Sequence, residues 1–333
     1  MPQVLVLSPD DNSPIGGIRV LYRHVDILNK HGISAAVLHM KRGFRCTWFK
    51  NSTPVVHYSP QTLAESEFIV LPEIYGAHAA REVVMERKDF LGIRRKVRLD
   101  VSRLKKVILN QNAHYTFDHH PLAIERLETP YLSPDVLATF VVSEHNRAFV
   151  QGVFPQHPVH RIHLGINHDE YYYEPKKKKQ IAFMPRKNFM DIQRVINGLK
   201  FKGALKGWTL APIDGLMEPD VARIMRESAF FLTFGTIEGF QLPPAEAMMC
   251  GCIVAGYHGY GAQEFMLPEL SFPVQAHDSI GFITVMEKLL KEYDTDPSAL
   301  QTRAKTAAEY MSERYTHEEE EADIIGAWRT ILG

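Results

Sequence analysis

Short, nearly unbroken apolar runs alternate along this chain with amphipathic stretches. The first run, residues 3–8 (Gln-Val-Leu-Val-Leu-Ser), has the character of a strand buried on both faces. A polar loop, Pro9 to Pro14, leads into Gly16-Gly17. Apolar residues then recur at Ile18, Leu21, Tyr22, Val25 and Leu28, the period of a helix with one buried face. His31-Gly32 ends it, since glycine accepts the left-handed conformation that closes a helix. Further strands are expected over residues 34–40, 55–58, 68–72, 107–110 and 139–143, with helical spacers between several of them. That alternation predicts an open, parallel α/β sheet.

The pattern then restarts. Residues 165–180 are polar and then charged, ending in Lys176-Lys-Lys-Lys179, and read as a linker with a solvated charge run. A second series of strands follows at 180–185, 209–212, 230–234 and 253–257, again separated by helices. Two Rossmann-like domains are expected, residues 1–168 and 180–316, followed by an amphipathic helix from about residue 317 to the end. The length of 333 residues agrees, because single cores of ~150 residues are typical. In open parallel sheets, ligands sit outside the carboxyl ends of the strands.

Composition narrows the function classes. Apolar residues make up 45% and charged residues 23%, ordinary values for a globular protein. The formal charge of −1 provides no field to attract nucleic acid, and no aromatic stacking motif is present. Cys46, Cys250 and Cys252 form neither a disulfide framework nor a zinc knuckle and read as core thiols of a reducing compartment. The start of the chain lacks a signal-peptide pattern, and no apolar run approaches ~20 residues, so a cytoplasmic location is expected. Sixteen histidines include His119-His120 and the series His157, His160, His163, but no carboxylate or thiol cluster accompanies them, and no metal is assigned.

The most informative stretch is Glu238-Gly-Phe-Gln-Leu-Pro-Pro-Ala-Glu246, continuing Ala-Met-Met-Cys-Gly251. Proline is tolerated where a helix begins, so Pro243 and Pro244 mark a helix start, with an apolar helix expected over residues 245–252. A helix N-terminus at a strand end attracts phosphate. The flanking carboxylates are of a kind that accepts hydrogen bonds from sugar hydroxyls. Glu246, expected in the first turn, also suits the helix dipole without any ligand.

This stretch resembles the donor-site signature of glycosyltransferase family 4, the retaining, nucleotide-sugar-dependent enzymes of GT-B architecture. Two glutamates there bracket a Gly-Phe-Gly-Leu-type loop, and Gln241 replaces the second glycine here. The resemblance implies two Rossmann-like domains facing each other across a cleft, with the last helix crossing back to the first domain. It also implies that Glu246 holds the donor ribose and Glu238 the transferred sugar. Arg186 and Lys187, at the end of a strand in Phe183-Met-Pro-Arg-Lys-Asn188, are implied to neutralise the diphosphate, with the backbone of Phe240, Gln241 and Leu242 assisting. These two cations are adjacent here, and neighbours on an extended chain point apart, so Arg186 is the stronger candidate.

Gly16-Gly17 is implied to let backbone approach the diphosphate, as only glycine permits. The spacing lacks G-x-G-x-x-G, which disfavours a nicotinamide dinucleotide. His114 is implied to lie near the reacting sugar carbon. Glu264, after Gly259-Tyr-Gly261, is either a donor ligand or a helix-start carboxylate. The segment from Arg87 to Lys106 is rich in Arg and Lys with apolar residues interleaved. It is expected to be a helix, either with an ordinary charged face or with a basic face for an anionic acceptor or membrane surface.

The reading is a retaining glycosyltransferase moving a sugar from a nucleotide diphosphate to an acceptor hydroxyl of a glycan or lipid-linked precursor. No cofactor is expected, the nucleotide sugar being a substrate. The alternatives are a non-catalytic sugar-nucleotide binding module and a GT-B nucleotide-sugar epimerase or hydrolase.

Overall fold

The computed structural model describes residues 3–88, 94–118, 120, 122 and 128–333. Its contacts divide the chain into two units. The first comprises residues 1–162 together with 321–333, and the second residues 163–320.

The first unit contains β1 (Val4–Leu7), α1 (Gly16–Lys30), β2 (Ala35–His39), β3 (Val55–His57), α2 (Pro60–Ala64) and β4 (Phe68–Pro72). A hairpin follows, β5 (Glu82–Lys88) and β6 (Arg94–Asp100), and then β7 (Lys105–Asn110), β8 (Val136–Val141), α3 (Glu144–Val153) and β9 (Val159–Arg161). Seven of these strands form one parallel sheet in the order β3-β2-β1-β4-β7-β8-β9. Central strands such as Val4–Leu7 and Phe68–Pro72 are wholly buried, as their unbroken apolar sequence requires. α1 starts at Gly16 and stops at Lys30, and Gly32 takes φ +80° just beyond, as the sequence predicts.

The expected basic helix over 87–106 is not formed. β5 and β6 pair antiparallel as a separate two-stranded ribbon, Glu82 opposite Asp100 and Lys88 opposite Arg94. Val97, Leu99 and Val101 alternate with Lys96, Arg98 and Asp100, a period of two that suits a strand and not a helix. Val83, Leu99 and Val101 join Leu5, Leu38 and Ile69 in one core cluster. Phe90, Leu91 and Ile93 of that segment, like His119, lie outside the described residues.

The second unit contains β10 (Lys178–Phe183), α4 (Phe189–Phe201), β11 (Thr209–Pro212), α5 (Glu218–Glu227), β12 (Ser228–Thr233), α6 (Leu242–Met249), β13 (Ile253–Gly256), β14 (Phe272–Pro273), α7 (Ser279–Thr295) and α8 (Ser298–Arg314). Its parallel sheet runs β11-β10-β12-β13-β14. Lys178 and Lys179 open β10, so the lysine run enters an inner strand of the sheet where a linker was expected. α9 (His317–Leu332) runs from the second unit into residues assigned to the first. Its Trp328 is fully buried among Phe68, Phe140 and His24 of the first unit. Among the described residues, no helix is long and apolar enough to cross a membrane.

Candidate functional site

In the second unit, the strand order reverses between β10 and β12, where β11 was added on one side and β12 on the other. Loops leaving neighbouring strands at such a point diverge and open a crevice at their carboxyl ends. Arg186 and Lys187 follow β10 and Glu238 follows β12, so the candidate cations and the first motif carboxylate meet at this point.

The two cations point apart. Arg186 turns toward the loop after β11, its Nε 3.2 Å from Asp214 Oδ1. Lys187 turns the other way and its Nζ donates to Glu238 Oε1 in an ion pair. Thus Lys187, the weaker sequence candidate, is the one that reaches the motif. Asn188 follows at φ +56°, a left-handed conformation that re-aims the chain into α4. The nearly inaccessible carboxylate of Asp191 holds this turn. It accepts from Asn188 Nδ2 (2.8 Å), Arg194 (2.6 Å) and Tyr257 Oη (3.2 Å), and pairs with His277 Nδ1 at 3.1 Å. Burial alone would raise the Asp191 pKa, but these hydrogen bonds outweigh it and hold the carboxyl below its usual range.

The motif loop is stitched to the loop after β13. Glu238 N–H donates to Gly259 O (2.9 Å), and Gly261 N–H donates to Glu238 O (3.1 Å). A Cβ at Gly261 would lie 2.0 Å from Gly239 O, so that position must remain glycine. Gln241 turns its side chain into the protein. Its side chain is buried, with Oε1 accepting from Thr233 Oγ1 (2.7 Å) and Nε2 donating to Gly235 O (3.1 Å). Its Nε2 also lies 3.4 Å from Tyr257 O, so Gln241 bridges the ends of β12 and β13. Phe240 is likewise a core residue, packed on Phe265 and Tyr315 with ring centroids 5.2 and 5.4 Å away.

α6 begins at Leu242 and ends at Met249, displaced toward the N-terminus from the expected 245–252. Pro243 and Pro244 are then the second and third helical residues and carry no N–H. The dipole remains, but backbone donation near this end is left to residues at or before Leu242, since the Ala245 N–H already donates to Gln241 O at 3.4 Å. Glu246 falls in the second turn, not the first, and is 5% exposed. The dipole alone therefore explains it poorly, because that effect fades within the first turn. Glu264 ends a short 3₁₀ turn, and its Oε1 accepts from Tyr315 Oη at 3.0 Å, which ties it to the end of α8.

In the first unit the strand order reverses between β1 and β4. Gly16-Gly17 follows β1 and Glu73 follows β4, again at the carboxyl edge. What approaches Gly17 here is Gln111, from the loop after β7. Its Nε2 donates to Gly17 O (3.2 Å), and a Cβ on Gly17 would lie 3.1 Å from its Oε1. Glu73 Oε2 accepts the Gln111 backbone N–H (3.1 Å). Burial pushes the Glu73 carboxyl up to about 7, although backbone N–H groups of Gln111, Glu73 and Asn112 pull the other way. Sequence reasoning passed over Glu73 and Gln111. The signal available was position, since each comes directly after an apolar strand.

His114 lies on a 3₁₀ turn over Ala113–Tyr115, and its ring stacks on His145 with centroids 5.3 Å apart. Burial lowers the pKa of both imidazoles, and His114 lowers that of His145 further. A buried amide network fixes this turn. Asn110 Nδ2 donates to Thr116 Oγ1 and Tyr131 Oη, both at 2.9 Å, and Ala113 N–H donates to Asn146 Oδ1 at 3.2 Å. Of the histidines considered as metal ligands, His157 is bonded to Thr139 Oγ1 at 2.8 Å.

Comparison with known proteins bears on this arrangement. No protein-family model matches the chain. It is 26% identical over 255 residues to an α-1,6-glucosyltransferase of Actinobacillus pleuropneumoniae serotype 7, covering 74% of this chain and 69% of that protein. Among solved structures, sucrose-phosphate synthase of Thermosynechococcus elongatus matches with a TM-score of 0.67 at 11% identity, over 100% of this chain and 99% of that one. HepE of Anabaena, solved in complex with UDP and glucose, matches with a TM-score of 0.65 at 14% identity, over 99% and 100%. The structural neighbours are GT-B glycosyltransferases, and this chain shares their fold of two Rossmann-like parallel α/β units along its whole length.

Proposed function

We propose that the chain is a glycosyltransferase using a nucleotide diphosphate sugar, UDP-glucose being the first donor to test, with an acceptor hydroxyl as the second substrate. The observation that carries this reading is the Lys187–Glu238 ion pair at the strand-order reversal of the second unit. An ion pair there stores two recognition groups in one place. A diphosphate competes with Glu238 for Lys187, and once displaced the carboxylate is free to accept from sugar hydroxyls. The name of the 26%-identical relative and the UDP and glucose of HepE support the choice of donor.

As the donor's glycosidic bond breaks, negative charge grows on the departing diphosphate. A fixed cation there lowers the energy of the transition state more than that of the bound donor. By the family resemblance, Glu246 holds the ribose, and Arg186, Phe240, Gln241, Leu242 and Glu264 contribute to the donor site. Gly16, Gly17 and His114 act for the first unit. Retention at the anomeric carbon, with a donor phosphate oxygen taking the acceptor proton, belongs to the same reading. So does an acceptor that is a glycan or lipid-linked precursor at the inner face of a membrane. Three buried free thiols, Cys46, Cys250 and Cys252, support a reducing compartment such as the cytoplasm.

The test is thermal denaturation with UDP, GDP, ADP and UDP-glucose. A ligand at 100 times its Kd adds about 2.7 kcal/mol of stability, enough to see as a shift of the transition. Stabilisation by one nucleotide, followed by glucose transfer from its sugar, is the expected result. No shift with any nucleotide overturns the reading, and a shift without transfer or hydrolysis reduces it to a binding protein.

A further inference from the structure

At the strand-order reversal of the first unit, two residues that the function above leaves unused, Glu73 and Gln111, meet the start of α1. Gly17 is the second residue of α1, Glu73 follows β4, and Gln111 follows β7. Gln111 links the other two, taking the Glu73 carboxylate on its backbone N–H and giving its side-chain amide to Gly17 O. The fit is close, because a methyl group on Gly17 would press on the Gln111 amide. Glu73 is 8% exposed, and a buried carboxyl is retained at a cost that apolar residues would not incur.

We propose that Glu73 is a positioning residue for the turn at Gly16 and Gly17, acting through Gln111. Removing the carboxyl releases the Gln111 backbone, and the amide then loses its seat on Gly17. Gly16 and Gly17 are the first two residues of α1, so their position sets the start of that helix. The inference rests on the glycosyltransferase reading only where activity is the measurement.

The linkage is sensitive to protons. Ionised Glu73 accepts more strongly from the N–H groups of Gln111 and Asn112, whereas burial favours the neutral acid. The groups that face it are the Asp118 carboxylate, which opposes ionisation, and the phenols of Tyr75 and Tyr131, whose own ionisation Glu73 opposes. Asp10, from the loop after β1, acts on the same Tyr75. The hairpin packs against this region through apolar Val83. A carboxyl raised from 4.5 to about 7 favours the folded state fully below pH 4.5, and that advantage is lost as pH rises through about 7.

The experiment uses the full chain labelled with ¹⁵N-glycine. In the wild type, the Gly17 amide signal is expected to move with pH, with a midpoint near neutrality. In Glu73→Gln, which keeps an acceptor for Gln111 but does not titrate, the movement disappears while the fold and melting temperature persist. In Gln111→Ala, Glu73 still titrates but the Gly17 signal no longer follows. Alongside, KM for UDP-glucose in Glu73→Gln should lose its inflection near neutral pH, and in Gln111→Ala it should rise roughly fivefold, as expected for one lost hydrogen bond. A Gly17 signal that ignores pH in the wild type, or that titrates unchanged in Gln111→Ala, overturns the proposal. If no nucleotide sugar is turned over, the glycine signal still decides it, so failure of the functional reading is seen separately.

Discussion

Adjacent residues can have unrelated roles when a strand end lies between two others. Arg186 and Lys187 leave β10 together, yet one faces the loop after β11 and the other the loop after β12. Lys187→Ala should therefore cost about 10²–10³ in kcat/KM, the scale of losing one preorganised electrostatic contact to the leaving group. Arg186→Ala, which removes a half-exposed partner of Asp214, should cost less. Steady-state kinetics with UDP-glucose at saturating acceptor rank the two, and equal losses would contradict the geometry. The sequence showed that neighbours diverge but not which one faces Glu238, because that depends on which strand is added to which side of β10. Gln241 was legible as a departure from the glycine of the family, though not as a buried staple. Thr233 and Gly235 belong to its own strand end, but Tyr257, whose carbonyl lies 3.4 Å from its Nε2, follows β13, a contact that depends on the sheet order.

At the scale of elements, most strands of both sheets could be read from their apolar runs to within a few residues, but the short outer strands β9 and β14 have no such run and were not expected. β4 over Phe68–Pro72 and β11 over Thr209–Pro212 match the expected bounds. The hairpin misled because its basic content outweighed its alternation, and α6 began early because proline was placed before the helix instead of inside its first turn. The docking of α9 on α1 was beyond periodicity altogether. Trp328 Nε1 donates to His24 Nε2 at 2.9 Å, and burial lowers the imidazole pKa from 6.5 to about 3. His24 must stay neutral to accept that bond. The stability it permits is complete above pH 6.5 and is lost as pH falls from there toward 3, by at most about 1.4 kcal/mol per pH unit. Urea unfolding of the wild type and of His24→Gln between pH 4 and 7 checks this. The variant should show a shallower acid slope, and an identical slope would remove His24 as its source.

For the whole molecule, the described residues are organised around two parallel sheets, each with its candidate residues at a reversal of strand order. The duplication was legible because the apolar pattern restarts. The closing of the first unit by residues 321–333 was expected only from family resemblance. Ending the chain after Glu320 keeps every residue of the second unit and removes Trp328 from the first. Deleting so large a buried side chain costs about 3–5 kcal/mol by itself. Calorimetry of the truncated chain should show the first unit melting earlier, while UDP still raises the transition of the second. Loss of the nucleotide effect would mean that the units are not separable in this way.

That arrangement has a consequence for synthesis on the ribosome. Most domains fold in the order in which they emerge, and the early one is finished before the later one begins. Here the apolar wall formed by Phe68 and Phe140 stays uncovered while the whole second unit is being translated, since Trp328 is made after it. A nascent chain that stalls anywhere in that interval carries an open greasy surface, and is a natural client for a chaperone until the missing indole arrives.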